Sequence, residues 1–133
     1  MSVYVTDTHP LIWYALDIKN KLSKKALKIF AQAEQAEALI YVPDIVLWEI
    51  SFLVKDGEVI INLPFQQWCH ALLRSRGFDR VSLSPEIMHT AMSMRFTEDP
   101  FDAAITATAY AMDLPLLTKD ALITEANLVE TIW

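Results

Sequence analysis

Four carboxylates stand out by their surroundings: Asp7, Glu49, Asp102 and Asp120. Asp7 ends a short β-branched run, SVYVT, and Asp120 ends LPLLTKD, so each is expected at the carboxyl end of a strand. Glu49 is flanked by Val46, Leu47, Trp48, Ile50, Phe52 and Leu53, a setting in which a carboxylate needs a cation, a proton or hydrogen-bond donors. Asp102 lies in EDPFDAAITATA, where Asp99, Asp102 and Thr106 are spaced to share one helical face. Acids near a helix start also complement its dipole, which accounts for Glu98 and part of Asp99. With the helix read from Glu98, Asp102 lies a turn deeper and calls for another explanation. The simpler reading of Asp7 and of Asp120, each taken alone, is a helix cap. For Glu49 alone it is pairing with a Lys or Arg.

Like charges gathered at one edge of a fold repel strongly at low effective dielectric, so the set makes sense around cations. An all-oxygen donor set with no matching Cys or His cluster selects a hard metal, Mg²⁺ or Mn²⁺. His9, His70 and His89 lack ligand spacing and read as ordinary surface or packing residues. Carboxylate-held metal without a glycine-rich phosphate loop suits hydrolysis of a phosphodiester. Spacing and charge do not choose between RNA, DNA and a small phosphate ester.

The elements that must position these acids follow from periodicity and punctuation. Ser2 to Thr6 reads as a strand running into the helix LIWYAL, and Ser23 caps the amphipathic KKALKIFAQAEQAEA. Leu39 to Val42 is a second strand, followed by a helix through IVLWEISFLVK, apolar nearly all round, that stops near Gly57. The helix FQQWCHALLRSR ends at Gly77 and leads to a third strand, Asp79 to Leu83. Ser84 caps IMHTAMSMRF, and the EDPFDAAITATAYAMD helix follows. Leu114 to Thr118, a short helix from Asp120, and Leu128 to Trp133 complete the chain. Strands alternating with helices imply a mainly parallel sheet covered on both faces, and its carboxyl edge is where ligands bind.

At 133 residues, 53% hydrophobic and with 2 Gly, the chain reads as one α/β domain over residues 1–133 with its own core. The net charge of −6 argues against a simple electrostatic grip on nucleic acid. Lys19, Lys21, Lys24, Lys25 and Lys28 nevertheless share one window free of acids, whose simpler reading is a solvated helix surface. The lone Cys69 excludes an internal disulfide. There is no signal-peptide pattern and no membrane-length apolar run, so the expected location is cytoplasmic.

Four strings in order, VTDTHPLIW, LWEI, DPFDAAITATA and LPLLTKD, resemble the PIN domain, and within it the VapC-like ribonuclease toxins of bacterial toxin–antitoxin modules. The resemblance spans essentially the whole chain. It implies a three-layer α/β/α fold on a five-stranded parallel sheet, Mg²⁺- or Mn²⁺-dependent endoribonuclease activity, and often a homodimer neutralised by a small antitoxin. Carried over by position, the catalytic and metal-holding acids are Asp7, Glu49, Asp102 and Asp120. Asp99 joins the metal set as the additional aspartate of a DPxD variant. Thr8 and Thr118 are implied as supporting hydrogen-bonding groups, with Glu49 as ligand or orienter of the attacking water. Trp13, Trp48 and Trp68 are candidates for a dimer or antitoxin surface, or simply for the core. One departure is visible: relatives with DPxD commonly continue with Arg, where this chain has Ala103 and Ala104, which either weakens the hold on substrate phosphate or moves that task to Arg95 or the lysine window.

Two other classes compete. A receiver-like phosphoacceptor domain also gathers carboxylates and a Lys at strand ends, but needs an acid pair beside its first strand, where only Asp7 stands, and an Asp ending a middle strand, where Ser84 stands. A PIN-fold protein that only binds a partner would keep the acids without turnover.

Overall fold

The computed structural model describes residues 1–133. Five strands, β1 (Ser2–Thr6), β2 (Ala38–Pro43), β3 (Phe78–Val81), β4 (Leu116–Leu117) and β5 (Thr131–Ile132), form one sheet in the order β3-β2-β1-β4-β5. Every pairing is parallel. Seven α-helices connect and cover them: α1 (Thr8–Ala15), α2 (Lys24–Glu34), α3 (Asp44–Lys55), α4 (Phe65–Leu73), α5 (Pro85–Met92), α6 (Pro100–Met112) and α7 (Ala121–Ala126). A 3₁₀ turn at Lys19–Lys21, unforeseen from the sequence, follows α1. None of the helices is long and apolar enough to cross a membrane.

The strand order matters more for function than any single element. The chain builds from β1 outward through β2 to β3, then returns to the other side of β1 with β4. Order therefore reverses between β1 and β4, the point at which open α/β sheets bind ligands beyond their carboxyl ends. Asp7 directly follows β1, and Thr118 and Asp120 follow β4, so both expected acids emerge at that crevice. The same order separates the molecule from receiver-type sheets, whose order is 2-1-3-4-5.

Burial explains why the central strands hold. Val5, Ile40, Val42, Leu116 and Leu117 are fully buried among Leu11, Phe30, Ile50 and Ile105 of the covering helices. The small residues of α6 serve two neighbours: Ala104 and Ala109 are buried in the core with the strands, while Ala107 packs against Ile87 of α5 and Met94. Gly77, just before β3, is fixed by a close approach, because a Cβ there would sit 1.7 Å from the carbonyl oxygen of Ala33.

Several boundaries differ from the sequence reading. The two distal strands are two residues long, shorter than Leu114–Thr118 and Leu128–Trp133. The helix expected to run to Phe96 ends at Met92, where the Ser93 and Met94 N–H groups turn to Thr90 and Ala91 carbonyls. Helix α3 is not apolar all round in effect: Ile45, Val46, Leu47 and Ile50 are buried, while Trp48 and Phe52 face solvent. Trp68 belongs to the core, so it drops out as a surface candidate, and Trp13 packs partly buried against that core.

Candidate metal centre

Asp7 is the most constrained of the acids. It caps α1, with Oδ1 accepting from the Thr8 N–H at 2.7 Å, and Oδ2 accepts from the Thr118 hydroxyl at 2.7 Å. The side chain is 8% exposed, and burial is the main reason its pKa is raised, against the lowering effect of those two hydrogen bonds. Thr118 in turn accepts from the Asp120 N–H at 3.0 Å, tying the ends of β1 and β4 together. Asp120 caps α7 through Oδ1, which accepts from the Ile123 N–H at 3.0 Å. Capping and site placement are thus one arrangement: the helix starts fix where these carboxylates stand.

Glu49 reaches the same crevice from α3. Its Oε1 accepts from the Thr8 hydroxyl, so Thr8 links Asp7 through its backbone to Glu49 through its side chain. Glu49 is half-buried and its pKa is raised, first by burial and further by the negative charges of Asp7 and Asp99.

At the head of α6 the sequence expectation needs correcting. Helix α6 begins at Pro100, so Glu98 lies outside it, exposed, and does not serve its dipole. Asp99 is the N-cap, accepting from the Phe101 N–H at 2.8 Å. Asp102 is therefore in the first turn and not a turn deeper. What distinguishes it is its surroundings: its pKa is pushed up to about 7, by burial first and then by Asp99, Asp120, Asp7 and Glu49 in turn. One turn further along the same helix face, the Thr106 hydroxyl is buried without a hydrogen-bond partner.

The five acids therefore feel one another across a single crevice, and none of them forms an ion pair. The ion pairs of the molecule are Lys19–Asp17 at 3.3 Å and Arg80–Asp44 at 2.8 Å, both elsewhere. As the side chains stand, no three of them close on a common point, the spread expected of like charges that repel. Oxygen donors only, raised carboxyl pKa values, no paired cation and an orphaned buried hydroxyl behind Asp102 together fit a hard divalent ion.

Three neighbours of the acids are not placed at this site by the sequence reading. His9, Trp13 and Lys119 line a cleft of about 280 Å³ with Asp7, Pro10 and Asp120. His9 was set aside for lacking ligand spacing, yet it faces the acids and its charge lowers the pKa of both Asp7 and Glu49. The available signal was adjacency, since His9 follows Asp7 by two residues and Lys119 precedes Asp120.

Comparison with known proteins agrees with this fold. The profile of the family described as PIN domain matches residues 4–127. The fold is similar to VapBC2 from Rickettsia felis, solved bound to a DNA fragment from its promoter, with a TM-score of 0.69 and 15% identity over 98% of this chain and 97% of that one. It is similar to a toxin–antitoxin complex from Klebsiella pneumoniae, with a TM-score of 0.61 and 18% identity over 100% and 97%. VapC20 of Mycobacterium tuberculosis, a toxin that cleaves the sarcin–ricin loop, gives 0.61 and 16% over 97% and 98%. No curated protein gives a significant sequence match.

Proposed function

Because the chain belongs to the PIN domain family, we propose that it is a divalent-metal-dependent endoribonuclease, the toxin of a toxin–antitoxin pair. The observation that carries this reading is the set of carboxylates from four segments, facing one crevice at the reversal of strand order with no cation paired to any of them. Similarity to VapC20, a toxin that cleaves the sarcin–ricin loop, supports RNA as the substrate class, and similarity to VapBC2 and to the Klebsiella toxin–antitoxin complex supports an antitoxin as partner.

In this reading Asp7, Asp102 and Asp120 hold the ion, Mg²⁺ or Mn²⁺, with Asp99 at the rim of the same set. Such an ion, when bound, acidifies a water molecule and stabilises charge on the phosphoryl oxygens. The protein's part is to hold the carboxylates still: Thr118 and the Thr8 N–H fix both oxygens of Asp7, and the start of α7 fixes Asp120. Glu49, tied to Thr8 through Oε1, keeps Oε2 free to take a proton from the attacking water. Burial and the neighbouring acids raise its pKa, which makes it a stronger proton acceptor than an ordinary carboxylate.

A homodimer is part of the proposal. Trp48 and Phe52 of α3 and Phe101 of α6 form an aromatic cluster with ring centroids 5.2–6.3 Å apart, and Trp48 is 56% exposed. A second copy laid on this face would cover it.

The test is incubation of the purified protein with structured RNA in Mg²⁺, in Mn²⁺ and in EDTA, beside Asp102→Asn. Cleavage is expected only with metal, and the substitution is expected to lower it by more than about a hundredfold. Cleavage indifferent to EDTA and to the substitution would refute the proposal. No cleavage under any condition would favour a PIN-fold protein that only binds its partner.

A further inference from the structure

The cleft that shares Asp7 and Asp120 with the carboxylate site has a second wall that the chemistry above does not use. Trp13 presents a half-buried indole there, with the His9 ring 5.9 Å away and tilted by 48°. The Trp133 ring meets Trp13 edge-on at 6.0 Å, and the Lys21 ammonium lies 5.8 Å from the Trp13 ring centre. Lys119 lines the same cleft from the far side, next to Asp120. His9 and Trp13 also border a groove of about 540 Å³ that leads away from the acids to Lys21, past Leu53 and one acid, Glu58. A continuous path thus runs from the carboxylates over two aromatic rings to a lysine.

We propose that this path is a nucleotide subsite, in which Trp13 stacks one base of single-stranded RNA beside the scissile phosphate while Lys21 and Lys119 meet the flanking phosphates. The inference rests on the ribonuclease reading and deepens it. Three features of the wall favour a nucleotide as occupant. Its rings are held by neighbours, Trp13 between His9 and Trp133, so little side-chain freedom is lost when a base docks. Stacking on an aromatic face accepts any base. Exposed Lys119 beside the acids and exposed Lys21 in the adjoining, mostly apolar groove supply positive charge on either side of the two rings, and charge of that sign suits a phosphodiester backbone. This arrangement also gives the chain a substrate grip in the absence of an Arg after Asp102.

The test separates binding from cleavage. Full-length Asp102→Asn protein in Mg²⁺ is titrated with end-labelled oligoadenylate and oligouridylate, alone and with Trp13→Ala, Trp13→Phe, Lys21→Ala or Lys119→Ala added. Trp13→Ala is expected to weaken both oligonucleotides about tenfold. Trp13→Phe should recover most of the loss, because the ring face is kept. RNA should also quench intrinsic tryptophan fluorescence, and much of that quenching should disappear in Trp13→Phe. Lys21→Ala should lower the slope of log affinity against log salt by about 0.7. As Lys21 and Lys119 are exposed, their variants keep the test valid even if Trp13→Ala melts early. Affinities unchanged within about twofold across folded variants would overturn the inference. So would loss of affinity for an arginine-rich peptide with RNA binding intact, which would make the cleft a protein-docking surface. Failure of the ribonuclease reading shows separately, as absence of metal-dependent cleavage by the unsubstituted protein.

Discussion

Asp102 concentrates the electrostatics of the site in one residue. Its pKa of about 7 against an ordinary 3.8 means that, between those values, the folded protein holds a proton that the unfolded chain has lost. Where the folded state binds more protons, stability falls as pH rises. The contribution is fully present below the unfolded value and is gone above about pH 7, and the raised pKa values of Asp7 and Glu49 act in the same direction. Metal-free protein should therefore melt at a lower temperature near pH 8 than near pH 5.5. Asp102→Asn should flatten that dependence, and Mg²⁺ or Mn²⁺ should raise the melting temperature most at the alkaline end. A melting temperature that rises with pH, alike in both proteins, would show that the acids do not burden the fold. Thr118→Val tests the support of Asp7 from the other side. Removing the hydroxyl that Asp7 Oδ2 accepts from should weaken divalent binding ten- to a hundredfold, as read by calorimetry. That these acids would face one crevice is legible in the sequence, because a carboxylate at a strand end or inside an apolar helix is unusual enough to notice. Their hydrogen bonds are not, since the Thr118–Asp7 contact joins residues 111 positions apart.

Elements were legible where local chemistry sets them. Ser23, Ser84 and Asp120 cap the helices they precede, and each accepts from an N–H three residues on, the pattern a sequence displays openly. Strand ends, which tertiary pairing sets, differ more: β2 extends one residue beyond Leu39–Val42 at each end, while β4 and β5 keep only the residues that find a partner strand, so apolar flanks such as Leu114 and Val129 pack beside the sheet without joining it. The Glu98 misreading had a similar origin, because only the observed start of α6 at Pro100 decides which acid is cap and which lies in the first turn. Gly77 shows a constraint of the same kind. Nothing in its neighbourhood of sequence announces that the Ala33 carbonyl will lie against it. With a new Cβ 1.7 Å from that oxygen, β3 cannot keep its place beside β2. Gly77→Ala should cost at least about 2 kcal/mol in denaturant unfolding. The open Gly57, at φ +77 with nothing near its would-be Cβ, is the control: there the cost of Ala comes from backbone conformation alone.

At the scale of the whole molecule, one arrangement of strands explains how acids from distant segments come to face one crevice. Reversal of order beside β1 brings the ends of β1 and β4 together, and α3 and α6 pack against each other with Glu49 and Asp102 near that crevice. The same packing brings Trp48 and Phe52 of α3 beside Phe101 of α6, so the aromatic face and the acid site share their two helices. Glu49 follows Trp48 and Asp102 follows Phe101 in sequence, so in the proposed dimer a contact that orders the rings would also order the helix turns that carry these carboxylates. Dimerisation through this face would then support activity as well as bury apolar surface. Trp48→Glu, which places a charge in the middle of the cluster, should convert a dimer to monomer in light scattering while leaving the fold intact, because Trp48 is 56% exposed. RNA cleavage by that variant should fall severalfold. If the unsubstituted protein is already monomeric at micromolar concentration, or if Trp48→Glu remains dimeric, the aromatic face is not the contact between copies.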